Sequence, residues 1–117
     1  MKIIYNNIIP FKGFIAINLF GLIFVRNSID KYSEYYKQIV LRHEQIHTKQ
    51  YRELGYIFFL VWYLLEYLIK LLFCWNLHDA YLSVSFEQEA NLHEIDNMYL
   101  DNRKHYSWLK YVFNLWE

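Results

Sequence analysis

Between Leu54 and Trp75 the chain runs for twenty-two residues with charged side chains at two positions only, Glu66 and Lys70. The first twelve of them, Leu54 to Leu65, carry no charge, and the apolar side chains fall on every face of a helix. A segment of this kind has to be covered by a core, a partner or lipid. Crossing a bilayer takes about 20 predominantly apolar residues. Each of the two charges would cost roughly 2.5–3.5 kcal/mol near the bilayer centre, so a hydrophobic core or interface helix over 55–75 is favoured over a span. Glu66 precedes Lys70 by four positions, the favourable order for an ion pair along a helix. Lys and Arg flank the run on both sides, and charge asymmetry assigns no orientation.

The rest of the chain is consistent with one core. With 117 residues, 56% hydrophobic and 21% aromatic, it is sized for a single domain, 1–117. Three Gly and one Pro argue against a linker or a disordered segment. Twelve Lys plus Arg balance twelve Asp plus Glu, so no basic field exists to hold a phosphate backbone and nucleic acid is not an expected partner. The one cysteine, Cys74, has no intrachain disulfide partner, a lean toward a reducing compartment. After Lys2 the apolar residues are interrupted by Asn6, Asn7, Pro10 and Lys12 with no small-residue cleavage site, so no signal peptide is expected and the location is cytoplasmic or membrane-associated.

The fold class expected is mainly α with a short N-terminal β-hairpin. Residues 8–26, rich in Ile, Phe and Val and punctuated by Gly13 and Gly21, predict a hairpin closing near Asn18 to Gly21. From Glu34, Tyr36, Ile39, Val40, His43, Ile46, His47 and Tyr51 recur at spacings of three and four, predicting a helix over 34–54 that ends at Gly55. Residues 76–85 read as a connector. Ser85 with Gln88 three positions on has the pattern of a capping box for a helix over 86–100. The aromatic tail predicts a last helix over 105–116.

Inside the 34–54 helix lies His43-Glu44-Gln45-Ile46-His47, an H-E-x-x-H pentapeptide. At i and i+4 two imidazoles share one helix face and can bind one Zn²⁺, while the intervening glutamate reaches a water on the metal. Glu44 is thus the candidate general base, taking a proton from water and later giving it to a leaving amine. Catalytic zinc takes a third protein ligand. Glu87 is the candidate, because it opens the next polar helix beside the small Ala90, with Asn91 on its own face at i+4. Glu89, His93 and Glu94 are the alternatives. For a group that donates to the oxyanion, Tyr99, Arg103, His105 and His78 are all open candidates.

H-E-x-x-H followed by F-E-x-x-A on a second helix resembles the gluzincin metallopeptidases, in particular the branch of HtpX heat-shock proteases and CAAX prenyl proteases. The layout is also similar to that of short bacterial proteins with a strand pair, an H-E-x-x-H helix, an aromatic helix and an F-E-x-E-A helix. The matching positions are His43, Glu44, His47, Glu87 and Ala90. The resemblance implies a minimal helical metal-binding core with His43, His47 and Glu87 on Zn²⁺, and hydrolysis of a peptide or protein substrate. It also implies an edge strand in the hairpin that pairs with an extended peptide. Asn91 stands where the family has Asp, an acceptor for a ligand histidine's N–H, and its uncharged amide should raise ligand basicity less. The short length and aromatic load leave a second expectation, a non-catalytic zinc-stabilised interaction or membrane-associated module. A third is that 54–75 presents the site to a membrane substrate.

Overall fold

The computed structural model describes residues 2–10 and 14–115. It is mainly helical with a small N-terminal sheet. Strands β1 (Ile3–Asn6), β2 (Ala16–Leu19) and β3 (Leu22–Arg26) precede helices α1 (Glu34–Leu54), α2 (Tyr56–Cys74), α3 (Leu77–Ser83), α4 (Ser85–His93) and α5 (Tyr99–Asn102). The strand order is β1-β3-β2, with β1 parallel and β2 antiparallel to β3, so β2 is an edge.

The expected hairpin is narrower than 8–26. Its strands are β2 and β3, joined at Phe20-Gly21, and both loop residues have positive φ (55° and 84°), the requirement of the tight turn that matches strand twist. Residues 11–13 of the expected hairpin lie outside the described residues. Gly21 satisfies that turn without strain, and a Cβ on it would also meet the Tyr56 ring at 3.4 Å. The added strand, β1, comes from the Ile3-Ile4-Tyr5 run read above only for its lack of a leader. Buried Asn18 ties the hairpin to α1, its amide donating to the Glu44 carbonyl at 2.7 Å and to Thr48 Oγ1 at 2.6 Å.

Helix α1 begins at Ser33, whose hydroxyl accepts from the Tyr36 N–H at 3.2 Å. It ends at Gly55, where φ of 82° turns the chain directly into α2. The main core is formed where the two helices meet α4: Tyr51, Phe59, Val84, Phe86 and Trp108 are all buried. The Phe59 ring lies 3.9 Å from that of Tyr51 and 4.4 Å from that of Phe86.

Three boundaries differ from the sequence expectation, each for a local reason. The connector 76–85 contains α3, because Asn76 Oδ1 caps it by accepting the Asp79 N–H at 3.0 Å. The helix expected over 86–100 runs from Ser85 to His93 and breaks, since Asp96 Oδ1 accepts the Met98 N–H at 2.9 Å and competes with helix continuation. In place of a helix over 105–116 there is one 3₁₀ stretch, Ser107–Tyr111, with residue 116 outside the described residues. The carbonyls of Tyr111 and Asn114 accept side-chain hydrogen bonds from Lys70 and Gln88.

No capping box forms at the start of α4. Gln88 Nε2 donates to the Ser83 carbonyl at 2.8 Å, and the cap comes from α2 instead. Glu66 accepts from the Ser85 N–H and the Ser85 hydroxyl, both at 2.6 Å, and pairs with Lys70 at 2.7 Å. Lys70 in turn donates to the Ser83 carbonyl. The two charges of the apolar run therefore face inward and fix the end of α4 that carries Glu87.

Candidate metal centre

Three of the sequence candidates converge. His43 Nε2 and His47 Nε2 lie 3.2 Å apart, and Glu87 Oε1 is 3.0 Å from the first and 3.1 Å from the second. His47 and Glu87 are buried and His43 nearly so. This group could hold a metal ion. Were zinc bound, His43, His47 and Glu87 would supply three of the four ligands such an ion takes.

The outer partners make the same point through the protons. His43 Nδ1 lies 2.8 Å from Glu94 Oε2, and His47 Nδ1 lies 2.7 Å from Gln50 Oε1. Gln50 cannot present its amide nitrogen there, because Nε2 donates to the Phe86 carbonyl at 3.1 Å and to Glu89 Oε1 at 3.0 Å. Both partners are acceptors, so both histidines carry N–H on Nδ1 and a bare lone pair on Nε2 in the neutral ring. Two such lone pairs and a carboxylate oxygen facing one another make a site that could hold a metal ion or, in its absence, a proton. Glu87 Oε2 is taken by the Tyr63 hydroxyl at 2.8 Å, which leaves Oε1 as the inward donor.

Electrostatics follow from that geometry. Burial opposes charge on His43, yet hydrogen bonds with Glu87 and Glu94 outweigh it and hold its pKa well above the ordinary 6.5. His47 is also raised, against burial, chiefly by the charge of Glu87. Burial works against ionisation of Glu87 as well, but His47 and His43 hold it well below the usual carboxylate range. Without metal, then, the site keeps a proton. The histidine contribution to stability is fully present below pH 6.5 and is lost as pH rises through the raised folded values. The Glu87 contribution is present above 4.5 and lost as pH falls through its depressed value. A metal ion bound through both imidazoles would displace the histidine proton, so the apparent affinity for zinc is expected to rise by up to about tenfold per pH unit per proton displaced and to level off above the raised His43 pKa. Zinc titrations across a pH series check this.

Glu44 is buried and lines a cavity of about 420 Å³ with His43, His47 and Glu87. Burial pushes its carboxyl up, moderated by His47 and His43. Its carboxylate accepts no hydrogen bond from any described residue, and the Glu44 contact with β2 runs through its carbonyl. Strand β2 forms one wall of the cavity, with Ala16, Ile17, Asn18 and Leu19 along it.

The other candidates lie elsewhere. Glu94 orients the His43 ring through Nδ1 and is no third ligand. Glu89 is paired with Arg103 at 2.5 Å, and Arg103 forks onto Glu53 at 2.8 and 2.9 Å. His93 stacks on Tyr99 at 4.0 Å. Tyr99 donates to Glu89 at 2.7 Å and His105 approaches Glu53 at 3.3 Å, so Tyr99, Arg103 and His105 form a buttress away from the cavity. His78 is exposed beside Tyr81. Asn91 is not the acceptor for a ligand histidine either; its Nδ2 is buried without a partner among the described residues. Glu94 supplies the charged acceptor that the Asn was expected to weaken. The break of the helix after His93 is what frees it, with the Arg42 guanidinium holding the Glu94 carbonyl at 2.6 Å.

The sequence signal missed Gln50, Tyr63 and Tyr81. Gln50 sits three residues past His47 on the buried face of α1, a position an i+3 scan for ring partners would have found. Tyr63 and Tyr81 were hidden in the aromatic excess. Tyr81 lines the cavity beside Glu87, and its phenol is held protonated by the charge of Glu87 and then by burial. Replacing Gln50 by Leu should weaken zinc binding by about 10–100-fold, the usual cost of losing an outer partner, as read by competition with a chromogenic chelator. No protein-family model matches the chain, and neither the curated proteins nor the solved structures contain a match to it.

Proposed function

We propose that the chain is a small zinc-dependent metallopeptidase in the manner of the gluzincins. One observation carries this: the inward-facing atoms of His43, His47 and Glu87 share a cavity with a buried carboxylate, Glu44, that accepts no hydrogen bond from a described residue. Buried carboxylates are ordinarily hydrogen-bonded or paired. An unengaged one beside a three-donor cation site fits the role of a base awaiting a proton.

Zinc, when bound, supplies a Lewis acid that polarises a peptide carbonyl and makes water acidic near neutral pH. The chain's own residues do the rest. Glu44 takes the proton of the attacking water, its raised pKa bringing it nearer the working range of a base that must also return the proton. The same carboxyl then protonates the departing amine. Tyr81 is the donor suited to the oxyanion, since its phenol stays protonated and borders the cavity. Edge strand β2 offers main-chain groups along the cavity wall to an extended peptide, a common mode of peptide capture.

Metal analysis of the purified chain tests the foundation. About one zinc per chain is expected, lost in His47→Ala, together with cleavage of a mixed peptide library. A chain that takes up no zinc at neutral pH would end this proposal.

A further inference from the structure

Helix α2 projects from the body as an apolar ridge. It has 19 residues and a mean hydropathy of 2.0, yet little of it is buried. Phe59, Tyr63, Glu66, Tyr67 and Lys70 form the stripe packed most closely against the protein, with Tyr56, Trp62 and Cys74 touching Tyr51, Trp108 and Ser83 at its margins. Around the rest of its circumference Ile57, Phe58, Leu72 and Phe73 are 69–72% exposed, with Val61, Leu64, Leu65, Leu68 and Ile69 between them. The area is far beyond scattered surface leucines, and such patches mark a contact surface.

The polar atoms of α2 identify what covers it. Between Ile57 and Phe73 the side chains able to hydrogen-bond are Trp62, Tyr63, Glu66, Tyr67 and Lys70. Every one is engaged within the protein: Trp62 with Glu66, Tyr63 with Glu87, Tyr67 with the Leu77 carbonyl, and Lys70 with Glu66 and two carbonyls. Protein interfaces carry about one hydrogen bond per 100–200 Å², and this face offers none to a protein partner. Acyl chains ask for none. Tyr56 and exposed Trp75 mark the two ends of the helix, the ring types that sit at headgroup level.

The dimensions of the molecule decide the orientation. A 19-residue helix is about 28 Å long at ~1.5 Å per residue, and the whole chain measures only 37 × 32 × 28 Å. The body packs alongside α2 over its length, from Tyr56 against Tyr51 to Cys74 against Ser83. Were α2 to cross the ~30 Å hydrocarbon core, the body would be dragged in with it. Exposed Lys49, Arg52, Asp79, Asp101 and Lys104, none of them ion-paired among the described residues, would then enter the bilayer. Laid flat, the ridge reaches the acyl chains while those charges stay in water.

We infer that α2 lies in the plane of a membrane surface, its outward face immersed among lipid acyl chains, and that the chain is a monotopic membrane protein. Leu60 belongs both to this face and to the cavity lining, so the cavity opens on the flank of the immersed helix.

Depth-resolved quenching tests this on the full chain. In a Cys74→Ser background, single cysteines at Ile57, Leu65 and Leu72 would carry an environment-sensitive fluorophore. Phosphatidylcholine vesicles would carry nitroxides at the headgroup or deep in the acyl chain. The expected result is co-flotation with vesicles and equal quenching at all three positions, stronger from the shallow nitroxide. A Leu65 label quenched chiefly by the deep nitroxide, with the other two shallow, would mean a span and overturn the inference. Absence of vesicle-dependent quenching, whether the chain is a monomer or a self-covered dimer, would overturn it as well. Phe58→Asp with Leu72→Asp should reduce vesicle partitioning at least tenfold while leaving helix content unchanged, and partitioning that survives the pair would count against lipid immersion.

Discussion

Glu44→Gln is expected to retain zinc and to lower peptide hydrolysis by about 10²–10⁴-fold, the usual contribution of a positioned base. The substitution keeps shape and volume and removes only the ability to take a proton. It should not disturb the fold, because the Glu44 carboxylate accepts no hydrogen bond from a described residue, and the link from this position to Asn18 uses the main-chain carbonyl. Metal content and cleavage rate measured on the same preparations separate the two roles. Hydrolysis at the wild-type rate would remove Glu44 from the chemistry. Zinc retained with no activity in wild type or variant would favour the non-catalytic zinc-stabilised module.

Glu66→Ala should cost about 3–5 kcal/mol of stability, because it leaves Lys70 charged and buried without its carboxylate. The loss extends to the site. Glu66 also caps α4 at the Ser85 N–H and hydroxyl, two residues before Glu87, so removing it frees the turn that aims the third ligand. Zinc affinity should fall along with the midpoint of denaturant unfolding. Replacing Glu66 by Leu and Lys70 by Met together should recover much of the unfolding midpoint, since no lone charge remains buried, while the cap on Ser85 stays lost. A single substitution with an unchanged midpoint would show that the pair is solvated in solution.

The helical part of the fold was legible because its signals are local. Ser33, the three-four spacing of α1 and Gly55 lie within a few residues of the boundaries they set. The C-terminal third was misread where side chains from distant helices claim the backbone. Lys70 and Gln88 draw the carbonyls of Tyr111 and Asn114 into side-chain bonds, and no periodicity in 105–116 reports that. Likewise Ser85 and Gln88 have the capping-box spacing, yet a carboxylate nineteen positions upstream takes the serine. At the site, the ligand spacing of His43 and His47 is a property of one helix turn. Their partners are not, since Glu94 reaches His43 across 51 positions only because α4 breaks after His93.

By itself, the sequence determined which side chains could serve a metal, because i and i+4 on any helix bring two imidazoles together. It also determined that residues 54–75 would need an apolar cover. Tertiary structure alone decided that Glu87, rather than Glu89 or Glu94, meets the two imidazoles, and that both rings turn their Nδ1 to an acceptor. It decided too that Glu66 and Lys70 turn inward and leave an uncharged ridge outside. The physical reason is the same in each case: a helix period fixes the face on which a residue stands, but only the packing of helices against one another fixes what that face meets.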